Sequence, residues 1–139
     1  MINNFKIGDT YDEKWSPSYD DLKAFSKLSG DYNPIHLNID DAKKLGKKDL
    51  IVHGNLGCAI LSKIIGMNFP GNGSLILEQN ISFPNPIYPK DIININLQIR
   101  SANYELRVID ILVRAFKLIK DDKLNKTIVL RGNILCQIS

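Results

Sequence analysis

The chain has 139 residues, 44% of them hydrophobic and 24% charged, which is enough for one domain (1–139) with a core that needs no disulfide or metal. The scattered net charge of +3 does not favour nucleic-acid binding. No apolar run approaches the roughly 20 residues of a membrane span, and neither a signal peptide nor a CxxC motif is evident. We therefore expect a cytoplasmic protein in which Cys58 and Cys136 are buried and reduced.

The first third of the chain predicts one strand and two helices. The strand covers Thr10 to Trp15, and a helix begins near Ser16-Pro17 or Ser18. Residues at helical spacing predict that this helix has one buried face, made of Tyr19, Leu22, Phe25 and Leu28. A second, short helix is expected from Ile39 to Leu45, where Asn38 can cap its start and Gly46 can end it.

Between these helices, the segment Ser29–His36 cannot be regular helix because Gly30 and Asn33-Pro34 break the periodic structure. It holds Asp31 and His36, and a loop that doubles back would bring this carboxylate and imidazole together. Such a pair can act as a general base with a partner that shares its proton. The alternative is an ordinary turn, in which the aspartate caps and the histidine faces solvent.

A basic cluster follows the second helix at Lys43, Lys44, Lys47 and Lys48. Charge runs of this kind are typical of a solvated surface. Phosphate contacts with a coenzyme A nucleotide are the functional alternative.

The remaining residues predict a buried helix followed by a meander of strands. Asn55 to Met67 is apolar on more than one side, which indicates a helix that other elements enclose. Period-two patterns predict strands at 75–83, with Leu75, Leu77, Ile81 and Phe83 on one face, and then at 93–100, 104–117 and 127–138. Turns are expected at Ser101-Ala102-Asn103 and Asp121-Asp122. The fold class is therefore α+β, with a curved antiparallel sheet around the helix.

Three motifs carry a resemblance to a known family, over about residues 18–100. They are Phe25-Ser26-x-Leu28-Ser29-Gly30-Asp31-x-Asn33-Pro34-Ile35-His36, Val52-His53-Gly54, and Pro70-Gly71-x-Gly73-Ser74. Together they resemble the MaoC-like (R)-specific enoyl-CoA hydratases. The resemblance implies a hot-dog fold, a homodimer, and hydration of trans-2-enoyl thioesters without a metal or other cofactor. Coenzyme A and acyl carrier protein both remain open as the acyl carrier.

Adding water to an enoyl thioester needs a base, a proton for the α-carbon and donors for the thioester oxygen. We expect Asp31 to be the principal base and His36 to orient the water and share its proton, although these roles could be reversed. Gly54 precedes the apolar helix, whose first N–H groups are unpaired, so it is a candidate oxyanion donor. A glycine that only permits a tight turn is the alternative, and the resemblance favours the donor role.

Four further residues are expected to support the site. Asn33 would hold the loop through backbone contacts, and His53 would donate a hydrogen bond that fixes the loop before the helix. The resemblance implies that Ser62 supports the aspartate, whereas its local position equally suits a bond to a carbonyl one turn earlier. Asn55 departs from the apolar residue common in the family, as Pro89-Lys90-Asp91 departs from glycine-aspartate. Asn55 could therefore alter the choice of acyl group.

The residues alone give less support to other functions. Asp31, His36 and His53 could surround a metal, but no metal-ligand spacing such as HxxxH occurs. A serine hydrolase is excluded because the chain has no GxSxG motif. A hot-dog thioesterase and a non-catalytic module that binds acyl thioesters remain as alternatives to the hydratase.

Overall fold

The computed structural model describes residues 2–121, 124 and 127–139. Strand β1 (Thr10–Trp15) comes first, followed by helices α1 (Tyr19–Ser29), α2 (Ile39–Lys44) and α3 (Gly54–Met67). Four strands follow α3, namely β2 (Leu75–Ser82), β3 (Ile93–Asn103), β4 (Val108–Lys117) and β5 (Ile128–Gln137). Two short 3₁₀ turns lie at Ile2–Asn4 and Pro34–His36.

The strands form one antiparallel sheet in the order β1-β3-β4-β5-β2. Its inner face follows from the period-two pattern, because every second side chain of a strand faces the same way. The alternate residues of β3 and β4 on this face are buried, namely Ile93, Ile95, Leu97, Ile99, Ile109, Ile111, Val113 and Ala115. The predicted α+β class, with a sheet that curves around a helix, is confirmed.

Helix α3 lies on this inner face through Leu61, Ile64 and Ile65, which are fully buried. Gly57 allows close packing, since a Cβ there would lie 3.2 Å from a methyl group of Leu130. The opposite side of the helix is open, with Asn55, Ala59, Ser62, Lys63 and Met67 exposed. The sheet thus covers one side of α3 within this chain, so the helix is less enclosed than its apolar pattern alone predicts.

Helix α1 begins as expected at Ser18, whose hydroxyl accepts the Asp21 N–H while the Asp21 carboxylate accepts the Ser18 N–H. Its predicted buried face is only partly correct. Leu22 is buried, but Leu28 is 85% exposed. Residues three apart drift by about 60° per step around a helix, so Tyr19 and Leu28 lie about 180° apart. The buried stripe instead joins Leu22 to Ser26, one turn later.

β-Bulges explain two errors in the predicted strands. In β2 the register shifts between Ile76 and Glu78, so the side chains on the two sides of the bulge change face. Consequently, Leu75 and Leu77 are exposed, and Ile76 and Ile81 contact the core instead.

In β3 the register shifts between Ile99 and Ser101, and the strand continues through the predicted turn to Asn103. The turn lies later, where the Asn103 side chain accepts the Leu106 N–H and Arg107 adopts a positive φ. β4 therefore begins at Val108 rather than at Tyr104.

Both cysteines are free, but only Cys136 is fully buried, and burial raises the pKa of its thiol to about 12. Cys58 is half-buried, so its predicted burial is only partly correct. None of the helices in the described residues is both long and apolar enough to cross a membrane. The turn predicted at Asp121-Asp122 lies partly outside the described residues, which include Asp121 only.

Gly132 provides a test of the pairing between β5 and β2. A Cβ on Gly132 would lie 1.8 Å from the carbonyl oxygen of Asn80 in the neighbouring strand, and this backbone cannot yield without breaking the ladder. We expect Gly132→Ala to lower the free energy of unfolding by at least about 2 kcal/mol in urea titrations. Gly66→Ala in α3 is the control: its Cβ meets no atom within 4 Å, and we expect no loss of stability. Equal stability of the two variants would contradict this register.

Candidate active site

The Asp31 loop (residues 29–36) is held by local hydrogen bonds at the end of α1. Gly30 adopts a left-handed conformation with φ 79°, and its N–H donates to the carbonyl of Ser26. The Ser29 hydroxyl donates to the Phe25 carbonyl at 2.6 Å and accepts the N–H of Asp31 at 3.1 Å. The sequence thus ends the helix and fixes the backbone of Asp31.

One carboxylate oxygen of Asp31 accepts a hydrogen bond within the loop, and the other oxygen faces His36. Its Oδ1 accepts the Asn33 N–H at 3.1 Å, and the Asn33 side chain in turn accepts the N–H of Ile35. This cap starts the 3₁₀ turn that carries His36. The loop doubles back, so that Oδ2 of Asp31 lies 3.8 Å from Nε2 of His36.

His36 is 7% exposed, and its orientation is set by a hydrogen bond between Nδ1 and the carbonyl oxygen of Ile51 at 2.6 Å. A carbonyl oxygen only accepts, so Nδ1 carries the proton and a neutral ring keeps a lone pair on Nε2. The gap of 3.8 Å to Asp31 is too long for a direct hydrogen bond. One water molecule can lie within hydrogen-bond distance of both atoms, about 2.8 Å from each.

His53 lies behind this pair. Its ring stacks on that of His36 with centroids 3.8 Å apart and an interplanar angle of 22°. Its Nε2 lies 3.0 Å from the Ser26 hydroxyl and 3.3 Å from the carbonyl oxygen of Asp31. Burial, followed by the neighbouring His36, lowers the pKa of His53, so this ring is neutral at neutral pH. The expected structural contact is therefore made to the Asp31 loop rather than to the segment before α3.

A groove is lined by His36 and by Gly54, the first residue of α3. Its volume is about 460 Å³, and its lining is mostly apolar, with Ile51, Val52, Phe83, Pro84, Pro86, Ile87 and Val129 beside His36, Lys47, Gly54 and Asn85. We call it the His36 groove. The N–H of Gly54 donates to no acceptor among the described residues, so this first N–H of α3 is available to a ligand.

Gly54 also lies in close contact with a neighbouring aromatic ring. A Cβ at this position would lie 3.0 Å from the ring of Phe83, the residue that follows β2. The helix N-terminus adds a partial positive charge there. A thioester oxygen that becomes negative in a reaction would be stabilised at this N–H.

Asp31, His36 and His53 offer ligand atoms that all lie within 4.8 Å of one another, a spacing that a metal site also requires. The two imidazole planes are nearly parallel. An ion bound to both rings at about 2.1 Å would lie between these planes, well away from the in-plane lone pairs. The stacked arrangement therefore does not fit a metal ion.

Asn55 and Ser62 are not brought to the pair. Both are exposed, neither lines the His36 groove, and neither side chain hydrogen-bonds to any residue that the structure describes. Ser62 lies eight residues after Gly54, about 12 Å along the helix axis. Its neighbour Lys63 reaches β1, where it pairs with Glu13 at 2.5 Å.

The sequence patterns give no site role to two residues, Ser26 and Phe83. Ser26 is a buried polar residue one turn after Leu22, and this helical spacing was an available signal. Phe83 was assigned to the inner face of a strand. Lys47 belongs to the basic cluster for which the sequence leaves phosphate contacts open, and only the fold distinguishes it from its neighbours by placing it in the lining of the groove.

Comparisons with known proteins identify the family. The family model described as "MaoC like domain" matches residues 4–112. The chain belongs to this family. The family resemblance drawn from the three sequence motifs is confirmed.

Relatives at the sequence level carry hydratase and dehydratase names. The chain is 30% identical over 96 residues to an (R)-specific enoyl-CoA hydratase of Aeromonas caviae, covering 69% of this chain and 72% of the relative. It is 35% identical over 86 residues to a mitochondrial 3-hydroxyacyl-[acyl-carrier-protein] dehydratase of Arabidopsis thaliana, covering 62% of this chain. The match spans about half, 51%, of the Arabidopsis protein.

Among solved structures, the (R)-hydratase of A. caviae superposes with a TM-score of 0.87 at 23% identity, over 97% of this chain and 98% of that one. An (R)-hydratase of Pseudomonas aeruginosa gives the same TM-score at 26% identity, over 99% of this chain and 84% of that one. The hot-dog fold that the resemblance implies is confirmed.

The neutral state of His53 predicts a pH dependence of stability. Its pKa is lower in the folded protein than in the unfolded chain, so the folded state binds fewer protons. Stability is then fully present above the unfolded value of about 6.5 and is lost as the pH falls below it. We expect the urea midpoint of unfolding to decrease as the pH is lowered from about 7 to about 5. This fall should be smaller in His53→Gln, which cannot titrate there; the same slope in both proteins would contradict a neutral His53.

Proposed function

We propose that the chain catalyses the reversible hydration of trans-2-enoyl thioesters to (R)-3-hydroxyacyl thioesters. The observation that carries this proposal is the 3.8 Å gap between Oδ2 of Asp31 and Nε2 of His36, because His36 also lines the groove that contains the free N–H of Gly54. A water held in the gap adds its hydroxyl to the β-carbon. Its proton passes through the pair to the α-carbon, so the enzyme ends unchanged and addition occurs on one face.

Asp31 is the principal base in this account. Its Oδ2 makes no contact with the loop backbone, whereas Oδ1 is held by Asn33. His36 orients the same water and shares its proton, since its Nδ1 is already committed to Ile51. General acid–base groups placed in this way contribute roughly a hundredfold to ten-thousandfold to a rate.

Gly54 supplies the third requirement. Addition at the β-carbon moves negative charge onto the thioester oxygen, and an N–H at a helix N-terminus stabilises such a charge. The reaction so described uses only protein acid–base groups and hydrogen-bond donors. We therefore propose that it needs no metal or nucleotide cofactor.

For the acyl carrier, the two named relatives point to both coenzyme A and acyl carrier protein. The two carriers share a phosphopantetheine arm. Lys47 is the one lysine among the described lining residues of the His36 groove, and its ammonium has no ion-pair partner in the described part of the chain. We infer that Lys47 faces the phosphate of this arm, while Lys43 and Lys44 belong to the solvated surface.

Two further proposals concern assembly and location. Strand β2 is an edge of the sheet and exposes Leu75 and Leu77, which supports a homodimer that covers these side chains.

The two unpaired thiols suit a reducing compartment, in keeping with the expected cytoplasmic location.

The proposal is tested by following loss of the enoyl-thioester absorbance with crotonyl-CoA and octenoyl-CoA. We expect turnover by the wild-type protein and a loss of at least about a hundredfold in Asp31→Asn and in His36→Ala, with both variants still folded. Release of free coenzyme A would instead indicate a thioesterase, in which Asp31 directs water at the carbonyl carbon. Tight binding without turnover would indicate the non-catalytic module.

Lys47 is tested with two substrates that share the pantetheine arm, of which only one carries the phosphates and the nucleotide. We expect Lys47→Gln to raise KM for crotonyl-CoA about fivefold, roughly 1 kcal/mol, without changing kcat, because one charge-assisted contact is lost. Crotonyl-pantetheine, which has no phosphate, should show no change. Lys43→Gln, on the exposed side of α2, is the matched control. An equal rise in KM for both substrates would show that Lys47 does not contact the phosphate.

A further inference from the structure

Ser26 and His53 form a buried polar contact that the proposed reaction does not use directly. Ser26 is 1% exposed and His53 is 2% exposed, and they come from α1 and from the residue before α3. Buried polar groups cost stability unless they are hydrogen-bonded. Their position behind the Asp31–His36 pair needs an explanation beyond packing.

The tautomer of His53 follows from its neighbours. Nε2 lies within reach of a carbonyl oxygen, that of Asp31, which can only accept a hydrogen bond. A proton on Nε2 therefore satisfies both Asp31 and the hydroxyl of Ser26. The other tautomer would bury an N–H at Nδ1, which has no partner among the described residues. It would also set the lone pair of Nε2 against the carbonyl oxygen of Asp31. The Nε2–H form is thus favoured.

This tautomer connects both members of the pair. Through Nε2–H, His53 holds the backbone of Asp31, and through its face it supports the ring of His36. The ring of Phe25 makes a further edge-type contact with His53, with the two centroids 4.9 Å apart. A charged His53 would repel a protonated His36 at this distance, and burial opposes that charge.

We propose that Ser26 and His53 are positioning residues that act as a neutral brace, setting the distance between Asp31 and His36 across which the water is held. The inference rests on the proposed hydration for its kinetic test, but the tautomers can be measured without any activity. Ser26 orients His53, and His53 fixes both Asp31 and His36. Misplacement of reacting groups by about 1 Å can cost up to a hundredfold in rate.

The structural part is tested by nitrogen NMR of the imidazoles, which is simple because the chain has two histidines. At a pH where both rings are neutral, we expect His53 as the Nε2–H tautomer and His36 as the Nδ1–H tautomer. Ser26→Ala should shift the ring signals of His53. His53 in the Nδ1–H form, or unmoved signals in Ser26→Ala, would overturn the brace whether or not the protein hydrates crotonyl-CoA.

The kinetic part compares two pairs of variants. Ser26→Ala should lower kcat for crotonyl-CoA about tenfold with KM unchanged, whereas Ser18→Ala, which removes the cap of the same helix, should lower the urea midpoint and leave kcat unchanged. His53→Gln keeps an N–H near the position of Nε2 and should retain most of the kcat that His53→Leu loses. Equal kcat in both serine variants, or equal losses in both His53 variants, would overturn the proposal. If His53→Leu does not fold, the serine pair still decides.

Discussion

The site depends on the short segment Ile51–His53, which leads into the N-terminus of α3 and hydrogen-bonds to the Asp31 loop. Its backbone is fixed on two sides, by the bond from the Ile51 N–H to Ile35 and by the bond from the Val52 N–H to Ile87. The Ile51 carbonyl then sets the ring of His36, and the imidazole of His53 holds the Asp31 carbonyl. Acid–base groups and the helix N–H are thereby placed by one piece of backbone.

This arrangement explains how a loop outside regular structure can be precise. The Asp31 loop has few apolar contacts, and 48% of the Asp31 side chain is exposed. Its geometry comes from side-chain caps at Ser29, Asp31 and Asn33, and from a buried imidazole behind it. The sheet contributes indirectly, because it supports α3 and so fixes the free N–H at the start of that helix. A rigid scaffold with a capped loop is a general way to hold catalytic groups.

Much of this could be read from the sequence. Strand β1 has the predicted bounds, α1 starts at Ser18, and the pattern of Gly30, Asn33 and Pro34 predicts a loop that returns the chain. Local chemistry also predicts that Asp31 and His36 can meet. These features depend on residues close in sequence, where caps and breakers act directly.

What could not be read depends on contacts between distant residues. The bulges in β2 and β3 arise from strand pairing, and a shift by one residue moves every later side chain to the other face. Ser26 and His53 are 27 positions apart, so no local pattern joins them. The open side of α3 has the same cause, because an apolar helix does not reveal how much of it a sheet covers.

The central claim is that Asp31 and His36 act on one and the same water molecule. A double-mutant cycle on kcat/KM for crotonyl-CoA, with Asp31→Asn, His36→Ala and the double variant, tests it most directly. Groups that act as a unit are strongly non-additive, so we expect the double variant to fall no more than about threefold below the poorer single variant. Losses that multiply in full, to about ten-thousandfold, would show two independent steps and would contradict the account.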